Sequence, residues 1–237
     1  MAPTSFQGFP KEAFTFLKEI KTHNNKTWFE KHKEAYVENV VEPGQALVEA
    51  LGPRLQKVAK TVQYDSSASG HGSVKRIYRD VRFSKDKSPY KTNFGASFSR
   101  ATARLRGGYY LHIQPGHSFV GGGFWNPNSA DLLRIRKEFE MDSSHIRKII
   151  QDKNFKKYFG DLMGDEVSTA PKGFDKNDPN IDLIRKKQFL VKHDLDDKII
   201  GSSEMFNQVT GSYAAMRPFF DYMSQVLTTD LNGESVI

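Results

Sequence analysis

Arginine, lysine, aspartate and tyrosine crowd into one stretch of the chain, Lys75 to Lys91. It holds seven Lys or Arg and two Asp, a net +5, in a chain of 237 residues whose whole net charge is +7. Guanidinium groups present a planar fork that suits a carboxylate or a phosphate. Asp80, set between arginines, should stay ionised; it could orient an arginine or act as a base, with Lys87 or Tyr90 supplying an acid. The candidate ligand-binding set is therefore Arg76, Arg79, Asp80, Arg82, Asp86, Lys87, Tyr90 and Lys91, facing a small anionic ligand. No catalytic residue can be singled out, so the set fits an enzyme or a binding protein. Two other uses stay open. A cationic strand with Tyr78, Phe83 and Tyr90 has the composition of a sheet surface that stacks nucleic-acid bases, although the two Asp would repel a phosphate backbone. Alternatively, Arg–Asp and Lys–Asp pairs could lock a long loop in place.

Side chains alternate faces on a strand. Read as one, this stretch puts Ile77, Arg79, Val81 and Phe83 on one face and Arg76, Tyr78, Asp80 and Arg82 on the other. Arg79 then sits in an apolar row, where a guanidinium needs a carboxylate or an anion. Asp80 points the wrong way to serve, and the partner is not visible from sequence.

Other chemistries find little footing. The seven His, at 23, 32, 71, 112, 117, 145 and 193, form no His-x-x-x-His pair, and there is no Cys. His112 and His117 flank the Pro115-Gly116 turn, but two ligands do not make a zinc site, so no metal is expected. Gly121-Gly122-Gly123 lacks the Lys-Ser/Thr of a phosphate loop, and Gly70-x-Gly72 lacks the third glycine of a dinucleotide fingerprint. No Gly-x-Ser-x-Gly elbow occurs. No cofactor is expected. No apolar run approaches the roughly 18 residues of a membrane span. The opening Met-Ala-Pro-Thr-Ser-Phe lacks the basic start and apolar segment of a secretory signal. The expectation is a cytoplasmic protein with no membrane partner.

The elements that must position the basic stretch follow from periodicity. Pro10 opens a helix striped with Phe14, Leu17 and Ile20; Asn25 is placed to cap a second. Trp28, Phe29, His32, Tyr36, Val37 and Val40 continue the helical period, and Pro43 should break or kink it before Leu47, Leu51, Leu55 and Val58. Asp65 to Ser73 is a Ser/Gly-rich loop leading into the basic strand. An antiparallel meander comes next: Phe94, Ala96 and Phe98; a Gly107-Gly108 turn; Tyr109, Leu111 and Ile113; Pro115-Gly116; then Phe119 to Trp125. Three glycines inside the last strand mark a close approach of backbone or ligand. Asn126-Pro127 caps a helix with Leu132, Leu133, Ile135 and Phe139. Ser143 begins another, Lys187 to His193 is a strand, and Ser203 caps a terminal helix. The 18 Phe and 9 Tyr promise an aromatic core. The expected fold is one α+β domain over 1–237: an antiparallel sheet, meander plus basic motif strand, covered mainly on one side by helices.

The pattern R-x-x-R-D-x-R-F-x-x-D-K-x-x-Y-K, carried by Arg76, Arg79, Asp80, Arg82, Phe83, Asp86, Lys87, Tyr90 and Lys91, resembles the signature of an uncharacterised bacterial and fungal family, domain of unknown function 2461. The order around it is similar as well. Asn24-Asn25 and Trp28-Phe29 lie upstream. Gly108-Tyr109-Tyr110-Leu111-His112, Gly121-Gly122-Gly123, Pro171-Lys172-Gly173-Phe174 and Asp178-Pro179 lie downstream. The resemblance spans nearly the whole chain and implies no activity.

Overall fold

A computed structural model describes residues 6–68, 71–100 and 107–236. Gly70 of the Ser/Gly-rich loop and the opening five residues lie outside these. The fold is α+β, with a five-stranded antiparallel sheet. Its strands are β1 Val62–Gln63, β2 Phe94–Arg100, β3 Gly108–Ile113, β4 Ser118–Phe124 and β5 Phe189–Leu195, in the order β1-β2-β3-β4-β5. Strands adjacent in sequence are thus adjacent in the sheet, as a meander requires. β3 buries alternate residues, Tyr109, Leu111 and Ile113. Among the described residues no helix is long and apolar enough to cross a membrane.

The chain divides into two compact units, each gathered from three segments. The first comprises Met1–Ser99, Tyr110–Val120 and Asp194–Gly211. Its α1, Lys11–Thr22, starts directly after Pro10 and buries Ala13, Phe16, Leu17 and Ile20 at helical spacing. α2, Lys26–Lys31, is capped by Asn25, whose side-chain oxygen accepts from the Trp28 amide at 3.0 Å. α3, Lys33–Tyr36, runs through a π-helical turn at Val37–Val41 into α4, Glu42–Val58. Pro43 does not break this path. It stands in the first turn of α4, and the helical backbone passes into α4 through the π turn just before it. Gly44 brings α4 onto the ring of Phe94 in β2, a contact that leaves no room for a β-carbon. A short helix, α9 Asp197–Ile200, completes the regular elements lying wholly within this unit.

The second unit comprises Arg100–Tyr109, Gly121–His193 and Ser212–Ile237. Its helices are α5 Ser129–Met141, α6 Ser144–Gln151, α7 Lys153–Phe159 and α8 Ile181–Ile184, with most of α10, Glu204–Thr228. The cap of α5 is Asn128, which accepts from the Asp131 amide at 2.9 Å. The expected Asn126-Pro127 pair lies outside the helix because Asn126 takes a positive φ of 50°, a turn conformation that asparagine tolerates. Tyr109 packs against Tyr213 and Phe220 of α10, with ring centroids 4.6 and 4.9 Å apart, and burial pushes its phenol up to about 12. The glycine triplet marks close approaches by the protein itself. A side chain at Gly122 would meet the Gly108 carbonyl, Met216 and Phe220, and one at Gly123 would meet the Phe189 carbonyl.

Candidate functional site

The basic stretch is not a strand. Val74 bridges Ala96 and the Lys75 amide donates to the Gly95 carbonyl at 2.9 Å, so the segment leaves β2 antiparallel to it. It then pairs with its own return. The Lys91 amide donates to the Ile77 carbonyl (2.7 Å), Tyr78 bridges Tyr90, and the Arg79 amide donates to the Pro89 carbonyl (2.9 Å). Beyond Arg79 the pairing stops, and residues 80–88 form an irregular tip. Ile77 is buried, as alternation required, but Phe83 is 95% exposed, so the expected apolar row ends early.

Local side-chain chemistry explains the departure. Asp80 Oδ1 accepts from the Arg82 amide at 3.2 Å, and Asp86 Oδ1 accepts from the Ser88 amide at 2.9 Å. These Asx turns offer the backbone an alternative to a sheet ladder. Pro89 has no N–H to contribute to one.

Most candidate side chains are spent on this loop. Arg79 finds the carboxylate its setting demanded in Asp86: Nη1 lies 2.6 Å from Oδ2 and also donates to the Ser88 carbonyl at 2.9 Å. Asp86 also accepts from the Ser88 hydroxyl. The Ser88 contacts, then Arg79, hold its carboxyl down at about 2. Arg82 grips Asp80 through Nε (2.9 Å) and Nη2 (2.7 Å), and these bonds keep Asp80 below the usual carboxylate range. Lys87 Nζ donates to the Val81 carbonyl at 3.0 Å, across the tip.

Tyr90 is an anchor. Its ring is 3% exposed and stacks on Phe29 of α2 with centroids 4.2 Å apart. Asn24, just before α2, brackets its backbone: Nδ2 donates to the Tyr90 carbonyl (2.9 Å) and Oδ1 accepts from the Tyr90 amide (3.0 Å). Tyr36 also packs on Phe29, and burial, then the nearby Tyr78, pushes its phenol up to about 12.

What remains is a group of cations at the neck. Lys91 Nζ donates to the Arg76 carbonyl at 2.7 Å, and Lys75 Nζ to the Gly72 carbonyl at 3.1 Å. Both amines are held below the usual lysine range. Burial does this for Lys75; for Lys91 it is burial first, then the positive charges of Arg76 and Lys75. Among the described residues no carboxylate lies within ion-pair distance of Lys75, Arg76 or Lys91. Lys75 precedes the motif, and sequence reasoning did not include it; its only signal was its place at the head of the cationic run.

The other candidates stay apart from this group. His112 bonds Gln114 Oε1 at 3.0 Å and stacks on Phe119, while His117 is exposed. Among the described residues no group of three or more His, Asp or Glu is placed to hold a metal ion.

The Asp86 clasp has a pH signature. Its carboxyl pKa is lower in the folded chain than the ordinary 3.8, so its stabilising effect is complete above that value and is lost as pH falls through about 2. Asp86→Asn should therefore melt below wild type at neutral pH, with the gap closing as pH falls from 3.8 toward 2. Paired melting curves across that range check this.

The structure is thus an α+β fold with a clasped cationic loop, whose neck carries three cations without an ion-paired carboxylate among the described residues. The chain matches the family described as "Conserved hypothetical protein (DUF2461)" over residues 12–222, and it belongs to that family. No curated protein and no solved structure matches the chain.

Proposed function

We propose that the chain binds a small anionic ligand, one bearing phosphate or carboxylate, against Lys75, Arg76 and Lys91 at the neck of the loop. The carrying observation is the group of three cations with no ion-paired carboxylate among the described residues. Such a group is held together against its own repulsion, and an anion placed among it relieves that repulsion and favours the lysines' charged form. Asp80, the carboxylate on which Arg76 acts, is paired with Arg82. On this reading the rest of the motif is scaffold. Arg79, Asp86, Arg82, Asp80, Lys87 and Tyr90 hold the loop so that its neck is set before a ligand arrives, which lowers the ordering cost of binding. The reading includes a cytoplasmic setting, which suits a chain without cysteine.

Phe83 favours a second reading. At 95% exposed, beside Arg82, Lys85 and Lys87, it could stack a nucleic-acid base.

Thermal melting across an anion panel separates the two. At about ten times its Kd, a bound anion such as phosphate should raise the wild-type melting temperature by about 3–6 °C. That shift should shrink in Arg76→Ala and Lys91→Met and survive in Phe83→Ala. A shift produced only by a single-stranded oligonucleotide, and lost in Phe83→Ala, would replace the first reading with the second. No shift with any anion would remove both.

A further inference from the structure

We propose that a cleft in the second unit, about 300 Å³ in volume, binds a small organic cation on a short alkyl stem, an alkylamine, alkyldiamine or alkylguanidine, through Glu138 and Tyr222. This site is separate from the anion site proposed above and does not rest on it.

The first observation is a hydroxyl without a partner. Tyr222, on α10, is 5% exposed and lines the cleft, and its Oη is buried with no hydrogen bond. A buried polar group in that state destabilises the fold unless something meets it. Glu138, Asp142 and Arg134, all cleft-lining, lie near enough to this phenol for their charges to act on it. Burial raises the phenol's pKa, so it stays protonated and can accept from an ammonium.

Sign is the second observation. The lining carries three carboxylates, Glu138, Asp142 and Asp230, against one guanidinium, in a chain whose net charge is +7. That guanidinium, Arg134, donates from each of its three nitrogens. Nε donates to the Thr229 carbonyl, Nη2 to the Asp230 carbonyl and Nη1 to Glu138 Oε2, at 2.8–2.9 Å. Asp142 accepts from the Ser144 amide and hydroxyl, and Asp230 from the Asn232 and Glu234 amides. Glu138 keeps one oxygen, Oε1, with no hydrogen bond among the described residues. An ammonium has several N–H donors and no acceptor, the complement of a carboxylate oxygen and a phenol oxygen that both lack a hydrogen bond. An anion would meet repulsion. Met141, Val226 and Leu231 supply apolar wall for a short alkyl stem, and the edge-on ring pair of His145 and Tyr222, 4.9 Å between centroids, supplies an aromatic one.

The test uses 1,4-diaminobutane, with butane-1,4-diol and glutarate as neutral and anionic controls, read as melting-temperature shifts of the full chain. The diamine should raise the wild-type melting temperature and the controls should not. Each variant is compared with itself, with and without probe, so altered basal stability does not enter. The diamine shift should be lost in Glu138→Gln and reduced in Tyr222→Phe. Tyr222→Phe without probe should melt at or above wild type, because an unmet hydroxyl is gone. No diamine shift in wild type, equal shifts for the diol and the diamine, or a diamine shift unchanged in Glu138→Gln would each overturn the proposal.

Discussion

Tyr90→Ala should destabilise the protein by about 3–5 kcal/mol, the cost of emptying a buried aromatic site, and should loosen the loop from Lys75 to Lys91 as a unit. The ring is 3% exposed and stacks on Phe29, so little can relax into the space it leaves. Its removal also takes away the ring contact of Tyr90 with Tyr78 across the neck, 5.5 Å between centroids. Asn24→Ala should cost less, about 1–3 kcal/mol, because it leaves a backbone donor and acceptor unmet without opening a cavity. Both act on one anchor, so the double variant should fall short of the sum. Denaturant unfolding gives the energies, and amide exchange across residues 75–91 reports the loop. A Tyr90→Ala protein within 1 kcal/mol of wild type would show that the ring is not the anchor.

Gly123→Ala should be comparably severe. Its φ of 135° is open to glycine and strained for any L side chain, and an added β-carbon would run into the Phe189 carbonyl of β5. Strain and overpacking together should cost about 2–5 kcal/mol. Gly116 is the control. Its φ is also positive, 75°, but nothing lies within 4 Å of an added β-carbon. Gly116→Ala should therefore lose only the conformational part, about 1–2 kcal/mol. Equal losses at the two positions would mean that the approach of β5 to Gly123 contributes nothing.

These two residues also show how far the sequence could be read. Glycine in a strand signalled a close approach, but not what approached; that partner, β5, is more than 60 residues along the chain. Alternation located the meander because β2 and β3 really do bury every second residue over part of their length. The same test failed between Ile77 and Phe83, where the apolar spacing is a strand's but the turn chemistry of Asp80, Asp86 and Pro89 prevails. That Arg79 needs a carboxylate was legible, although the apolar row it was argued from stops short of Phe83. That the carboxylate is Asp86 was not, because the pair forms only once the hairpin has closed. The cations of the motif read alike in sequence, since one-dimensional spacing cannot separate an arginine engaged by an Asx turn from one without an ion pair. Burial and hydrogen bonds make that distinction, and they narrow the proposed site to Arg76 and Lys91 at the neck, with Lys75 added.

The neck is most directly probed by titrating the side-chain amines of Lys75 and Lys91 by carbon-detected NMR, with and without phosphate, assigning each through its Lys→Arg variant. Without phosphate both should titrate below the ordinary lysine value of 10.5. With phosphate both should move up, because a bound anion favours the charged form, and Arg76→Ala should weaken that response. Two amines titrating at the ordinary value, unmoved by phosphate, would contradict an anion site at the neck of the loop.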